Sequence, residues 1–367
     1  MSTQLKISRS SMNSGSPTST REPSSAASAY RKRSRRSVAI IVGLIVCAAV
    51  GFVLATMVGP FNYSASTVLR AIFIRGGVDE QTHTVIWSLR LPMSVMAVLV
   101  GAALAASGAQ MQTILDNPLA EPFTLGISAA AAFGGAASIV LGWVVLPNPQ
   151  LNLAFIAWVC SIGAALLIAA VSVVRGASNH TMILMGIALV FLFQALLALM
   201  QYQATTEALQ QIVFWTLGSM TRATWTANII LAVVLLIVVP ILMVNSWKLT
   251  ALRLGDARAA AMGINVDRLR VTTMVLVSVL AATAVAFSGI IGFVGLVGPH
   301  IARLIVGDDQ RFLLPASMAV GSLTLVAAHV VSLSINPGVA IPIGIVTSLI
   351  GVPFFLFIVL RKGRVQW

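Results

Sequence analysis

Side chains able to hold a metal, attack a substrate or shuttle a proton are sparse in this chain of 367 residues, which has 4 histidines, 2 cysteines and 10 acidic residues. His83, His180, His300 and His329 lie far from one another and form no His-x-x-His step, so no metal centre is implied. Cys47 and Cys160 each sit inside an apolar run without a CxxC partner, which gives neither a disulfide framework nor a zinc site. A phosphate-cradling loop of the Walker type needs a Gly-Lys step, and none of Lys6, Lys32, Lys248 and Lys362 follows a glycine. The sequence therefore predicts no catalytic residue, no metal and no cofactor held by the chain itself.

What the chain has in quantity is apolar surface: 58% of its residues are hydrophobic and 9% charged, with mean hydropathy +0.96. Soluble domains are roughly a quarter charged, so this composition excludes a soluble enzyme and a free nucleic-acid binder. The net charge is +13, and Lys6, Arg9, Arg21, Arg31, Lys32, Arg33, Arg35 and Arg36 against Glu22 put +7 of it into residues 1–36. That segment, rich in Ser, Thr, Pro and Arg, reads as a disordered basic tail. Arg35-Arg36 could open a twin-arginine signal, but the run from Val38 to Val58 is long enough to span and lacks a small-residue cleavage site, which favours a retained first span.

Apolar segments suited to crossing about 30 Å of hydrocarbon recur at 91–113, 122–146, 151–174, 181–202, 227–244, 271–292, 312–333 and 340–360, with a shorter glycine-broken one at 293–306. The expected architecture is an all-α membrane protein of ten transmembrane helices over residues 37–362, followed by a short cytoplasmic end at 363–367. With the N-terminus inside, only Arg70, Arg75, Arg90 and Arg222 of the 23 Lys and Arg residues fall outside, in keeping with the positive-inside rule. Both termini are then cytoplasmic.

The halves resemble each other. An offset of 181 pairs Ala103 with Ala284, Ala105 with Ala286, Ser107 with Ser288, Gly108 with Gly289, Leu115 with Leu296, Pro118 with Pro299 and Gly126 with Gly307. Copies separated by an odd number of spans form an inverted repeat, an arrangement that places a transport path at the repeat interface; chance likeness between small-residue helices is the alternative. The candidate path or repeat-interface residues are Ser107, Gly108, Asn117, Pro118, Ser288, Gly289, Pro299 and His300. Gly101, Ala105 and Ala109 at spacing four favour close helix packing, with a pore lining of small side chains as the other reading. Between two spans, Asp256 reads as the N-cap of a short helix over Ala257 to Met262 that Gly263 closes, a handle for a cytoplasmic partner or else a solvated loop.

The motifs LRLP (89–92), VGAALAASGAQMQ (100–112), DNPLAEPFTLGIS (116–128), WTLGSM (215–220), LGDARAAAMGI (254–264), SGIIGFVGLVGPHIARLIVG (288–307) and IPIGIVTSLIGVPFF (341–355) give the chain a resemblance to the FecCD-like family, the permease subunits of bacterial ABC importers for iron chelates and vitamin B12. That resemblance implies a BtuC-like permease in the bacterial plasma membrane that pairs with a second permease subunit and receives its substrate from an extracytoplasmic binding protein. Two cytoplasmic ATPase subunits would use ATP and Mg and grip the coupling loop at Leu254, Gly255, Asp256, Arg258, Ala259 and Gly263. It assigns Arg90 to binding-protein docking. The outer face departs from the family pattern at Met93, His329, Leu333 and Ala340, where charged residues are common, which makes a heterodimer with a better-charged sister subunit the expected assembly. A ferric siderophore is the expected cargo, with haem or cobalamin as alternatives; an ion-coupled carrier and a non-transporting scaffold are the rival classes.

Overall fold

The computed structural model describes residues 23–74, 76–176, 178–335 and 339–362; residues 1–22 of the expected tail, Arg75 and the expected end segment 363–367 lie outside them. Among the described residues all regular structure is helical. In chain order the helices are α1 (Pro23–Met57), α2 (Ala65–Phe73), α3 (Glu80–Val85), α4 (Leu91–Ile114), α5 (Ile127–Val140), α6 (Pro149–Arg175), α7 (Asn179–Gln203), α8 (Thr206–Thr216), α9 (Trp225–Val244), α10 (Ser246–Leu252), α11 (Asp256–Ala261), α12 (Val266–Ser288), α13 (Val294–Val306), α14 (Gln310–Ser334) and α15 (Ile343–Lys362). A π-helical turn, Ile86–Arg90, joins α3 to α4, and a 3-10 turn, Pro122–Leu125, precedes α5.

Every expected apolar segment falls on a helix, and 7 of the helices are long and apolar enough to cross a membrane. One differs from expectation in length: the segment expected at 122–146 forms α5, whose 14 residues rise only about 21 Å, while α13 has the short length its glycine-broken run predicted. Residues 23–36, expected within the disordered tail, are helical and continuous with the first span.

Helix α4 is the centre of the bundle, packed against α14, α12, α13 and α9. Small residues allow this. A Cβ at Gly101 would overlap the backbone of Gly321 in α14, and one at Gly108 would overlap the carbonyl of Gly295 in α13, so the helices touch backbone to backbone. Polar side chains then pin α4 to its neighbours through backbone carbonyls: Ser107 Oγ donates to Val277 O at 3.1 Å, Ser322 Oγ to Val98 O at 2.8 Å, and Asn228 Nδ2 to Pro92 O at 3.0 Å.

The gapless repeat expected from the offset of 181 is corrected here, because it lays the unbroken helical segment 103–114 onto the end of α12, a bend and the first residues of α13. The paired identities, Ser107 with Ser288 and Gly108 with Gly289 among them, are not equivalent positions. Likeness between the halves lies in the packing: α4 lies on α14 as α12 lies on α6, and α5 lies on α6 as α13 lies on α14. Both short helices also start from a left-handed residue, Gly126 at φ 78° before α5 and Phe293 at φ 68° before α13.

Gly108→Ala is expected to lower the stability of the detergent-solubilised protein by about 1–3 kcal/mol through overpacking. Gly43→Ala, at a position with nothing within 4 Å of the added methyl, should stay within about 0.5 kcal/mol of the parent. Thermal unfolding midpoints of the two variants in one detergent make the comparison.

Candidate functional site

The expected handle forms, with different chemistry at its start. Gly255, at φ 98°, occupies the N-cap of α11 and no side chain caps the helix. Asp256, expected to be that cap, is the first helical residue and instead takes Arg270 Nη1 at 2.9 Å and Nη2 at 2.7 Å on its two carboxylate oxygens. The Arg270 side chain is 4% exposed and that of Asp256 56% exposed, so the pair has one desolvated partner. Arg270 Nε donates to Ile114 O, the last carbonyl of α4, at 2.9 Å. At the other end, Gly263 (φ 80°) closes α11 in a Schellman arrangement, Gly263 N–H on Ala260 O and Ile264 N–H on Ala259 O.

Further ion pairs tie this platform to the neighbouring turns. Arg253 lies 3.4 Å from Asp116 Oδ1 and 3.3 Å from Asp308 Oδ1, and Arg303 Nε lies 2.9 Å from the same Asp308 oxygen. The chain after α4, the platform and the α13–α14 turn therefore share one charged network. Above it Ala259 is buried and anchors α11, while Leu254, Ala257, Arg258, Ala260 and Met262 are exposed. Exposed apolar side chains around one arginine make a contact surface for a partner.

Asn117 and Pro118 lie beside this network, half-buried, with Asn117 Oδ1 accepting Leu119 N–H at 2.9 Å in a side-chain-capped turn. Glu121 follows, half-buried, its carboxylate Oε2 3.5 Å from where a Cβ of Gly295 would lie. Burial pushes its carboxyl up to about 7.

The other expected path residues do not gather on one cavity. Ser107 and Gly108 are consumed by the α4 contacts with α12 and α13. Ser288 and Gly289 end α12 at the opposite side of the bundle, where Ser288 O accepts Ser219 N–H at 2.7 Å and a side chain at Gly289 would strike Trp215 O. Pro299 is buried inside α13, and His300 is buried with its ring edge-on to Phe354 of α15. These residues pack helix against helix, as Gly101 and Ala105 of the small-residue stripe do against Gly321 of α14.

Arg90 corrects a second expectation. It is 5% exposed, not presented on the outer face. Its guanidinium donates to Met57 O at 2.8 Å, to Thr56 O at 3.2 Å and to Phe61 O, and lies 4.5 Å from the Tyr63 ring centroid. The Thr56 and Met57 carbonyls end α1, where a cation satisfies orphan acceptors and the helix dipole. Arg222 does the same for α8 and α12, reaching Trp215 O and Ser288 O at 3.4 Å, and burial lowers it to about 10. Of the described arginines at this end, Arg70 is exposed.

Sequence reasoning missed Gln194. It is exposed midway along α7, on a stripe with Leu184 (67% exposed), Phe191 (68%) and Tyr202 (88%). A glutamine facing hydrocarbon is costly, and its signal was available: one amide in the middle of the apolar run 181–202.

Two measurements test these assignments. Asp256→Ala leaves the buried Arg270 charge without its carboxylate and is expected to cost about 1.5–3 kcal/mol, more than Arg270→Met, which removes the buried charge along with the pair; unfolding midpoints rank the two. Glu121 has a folded pKa above its ordinary value of 4.5, so its contribution to stability is complete below about pH 4.5 and lost as pH rises through about 7. Glu121→Gln should therefore gain stability relative to the parent between pH 6 and 8, and a parallel pair of pH–stability curves would refute that reading.

The comparisons with known proteins agree with this geometry. Residues 45–361 match the FecCD transport family. The vitamin B12 import system permease protein BtuC of Klebsiella pneumoniae is 38% identical over 76% of this chain and 83% of its own length. The hemin transport system permease protein HmuU of Yersinia pestis is 33% identical over 85% and 95%, and the Fe(3+)-citrate import system permease protein YfmE of Bacillus subtilis 33% identical over 92% and 98%. A solved structure of a metal-chelate type ABC transporter in an inward-facing conformation superposes with TM-score 0.78 at 34% identity, covering 88% of this chain and 99% of the other. With the family match spanning nearly all of the bundle and with that fold shared, the chain belongs to the FecCD transport family.

Proposed function

We propose that this chain is the membrane-spanning subunit of an ATP-driven importer for ferric siderophores, working with two cytoplasmic ATPase subunits and an extracytoplasmic binding protein. The observation that carries the transport role is the platform: α11 offers exposed Leu254, Arg258 and Met262 to a partner while buried Arg270 bolts it to the last carbonyl of α4. A push on α11 is delivered to the central helix by Arg270 and to the α13–α14 turn by Arg253 and Asp308. The platform side is cytoplasmic and both termini lie on it, as the distribution of basic residues favours. ATP and Mg belong to the ATPase partners, since no Gly-Lys step is present.

A metal chelate as cargo is favoured by the structural relative described as metal-chelate type and by the Fe(3+)-citrate relative. The relatives named for hemin and vitamin B12 keep haem and cobalamin as the second reading. The exposed stripe of α7 with Gln194 is assigned to the second permease subunit and the path between the two. With Arg90 and Arg222 turned to backbone carbonyls, Arg70 is, among the described residues, the arginine of this end offered to a binding protein. A sister permease with more exposed arginines completes the docking face, which makes the pair a heterodimer.

Proteoliposomes containing the full chain, a sister permease, the ATPase and the binding protein provide the test. Labelled ferric siderophore is expected to enter only with ATP inside, and uptake should survive a proton uncoupler. ATP turnover by the purified chain alone, or uptake driven by a proton gradient without ATP, would overturn the assignment. Uptake of hemin or cobalamin in place of the siderophore would move the cargo to the second reading.

A further inference from the structure

A groove of about 470 Å³ opens on the side of the bundle between α1, α4 and α14, lined by Ile45, Ala49, Phe52, Leu99, Pro315 and Met318 among other apolar residues. It lies on the outer surface of the bundle, since α1 covers little of itself against its neighbours. One end of the groove has a special character. Along α1, residues 31, 35, 38, 42, 45, 49 and 52 alternate by four and three and so share one face. Arg31, Arg35, Val38, Val42, Ile45 and Ala49 on that face are all exposed, and Phe52 is half-buried. The apolar stripe that feeds the groove thus begins at two arginines.

Helix α14 repeats the pattern. Arg311 stands four residues before Pro315, on the same face as Met318 and Ser322 of the groove. Its guanidinium donates to Tyr30 Oη of α1 at 2.9 Å and is paired with Asp309 at 2.7 Å. Arg33 lies against Gly307 next door, where its Nη2 would be 2.9 Å from an added Cβ. The acids facing this corner are Asp308, which Arg253 and Arg303 occupy, and Asp309, which Arg311 occupies. Arg31, Lys32, Arg33, Arg35 and Arg36 therefore leave the corner strongly positive.

Lengths match as well. From Arg311 to Ser322 the helix rises about 16 Å, and one leaflet of hydrocarbon is about 15 Å deep, half of a core of about 30 Å. On α1 the same rise of about 16 Å runs from Val38 to Ala49, with Arg31 and Arg35 below it and Phe52 past the end of the leaflet. The part of the channel from Val38 to Ala49, open to the bilayer and positive at the headgroup end only, has the shape and charge of a single lipid.

We propose that the groove between α1, α4 and α14 is a site for an anionic phospholipid, its acyl chain running from Val38 past Val42 to Ile45 and Ala49 and its phosphate held by Arg31, Arg35 and the Tyr30–Arg311 pair. The helical extension of α1 back to Pro23 thereby gains a role: it carries the basic residues at the height of the headgroups instead of releasing them into solvent. The assignment needs only that the chain lies in a bilayer, and it holds for any cargo.

Native mass spectrometry of the full chain in detergent, titrated with phosphatidylglycerol, phosphatidylcholine and inorganic phosphate, tests the site. One phosphatidylglycerol should be retained preferentially, and millimolar phosphate should not displace it. Arg31→Gln and Arg35→Gln should each weaken retention about fivefold, and Ala49→Trp, which fills the groove from an exposed position, should weaken it without touching any charge. Unfolding midpoints within a degree or two of the parent show that these surface variants remain folded. Equal retention of phosphatidylcholine, displacement by phosphate, or phosphatidylglycerol binding that ignores all three substitutions would overturn the proposal. None of these outcomes depends on ATP-driven uptake, so failure here and failure of the transport reading are distinguishable.

Discussion

Everything else in this bundle depends on α4 lying backbone to backbone against α13 and α14. No side chain separates Gly101 from Gly321 or Gly108 from Gly295, and in lipid, where apolar side chains gain little by meeting one another, such contact is what dispersion and backbone-directed hydrogen bonds can exploit. Once α4 is fixed at this spacing, Ser107, Ser322 and Asn228 reach the carbonyls of neighbouring helices, Arg90 at its start meets the end of α1, and Arg270 takes its last carbonyl. A wider spacing would leave those polar groups unpaired in hydrocarbon.

The charged residues follow from the same economy of placement. Arg90, Arg222 and Arg270 all donate to carbonyls at helix ends, where four acceptors per helix lack an intrahelical donor. At the platform end the arginines additionally meet Asp116, Asp256 and Asp308. One end of the molecule is thus closed by cation–carbonyl contacts and the other by a network of ion pairs. Ion pairs at a half-exposed surface are individually weak, which suits an end that must move under an applied force.

The spanning helices were legible in the sequence because nearly all are long apolar runs bounded by turn residues, and the platform because Gly255, the alanine-rich segment and Gly263 form a local signal; the short connecting helices α2, α3, α8 and α10 carry no such run and were not read. What stayed illegible was partner choice across distance. Asp256 offers the same oxygens to a helix N-terminus and to Arg270, and only the tertiary position of α12 decides between them. Arg90 reads as an outer-face charge until the carbonyls of α1 are found beside it. The repeat was misaligned because Gly, Ala and Ser recur wherever helices touch, so identity tracked crowding instead of equivalent positions. Gln194 was there to be read, since one amide inside an apolar run needs only the cost of burying it in lipid.

The helices that the bundle surrounds are also its less apolar ones: α4, α12 and α14 are mostly buried and carry lower hydropathy than the peripheral α1 and α9. During synthesis α1 leaves the ribosome before α4 and can dissolve in the bilayer unaided. Helix α4, with its glycines, serines and glutamines, emerges long before α13 and α14, the helices against which its glycines close. Its retention near the insertion machinery, or temporary shelter against α1, follows from that order. The close contact that makes the finished core compact thereby makes its assembly a matter of timing.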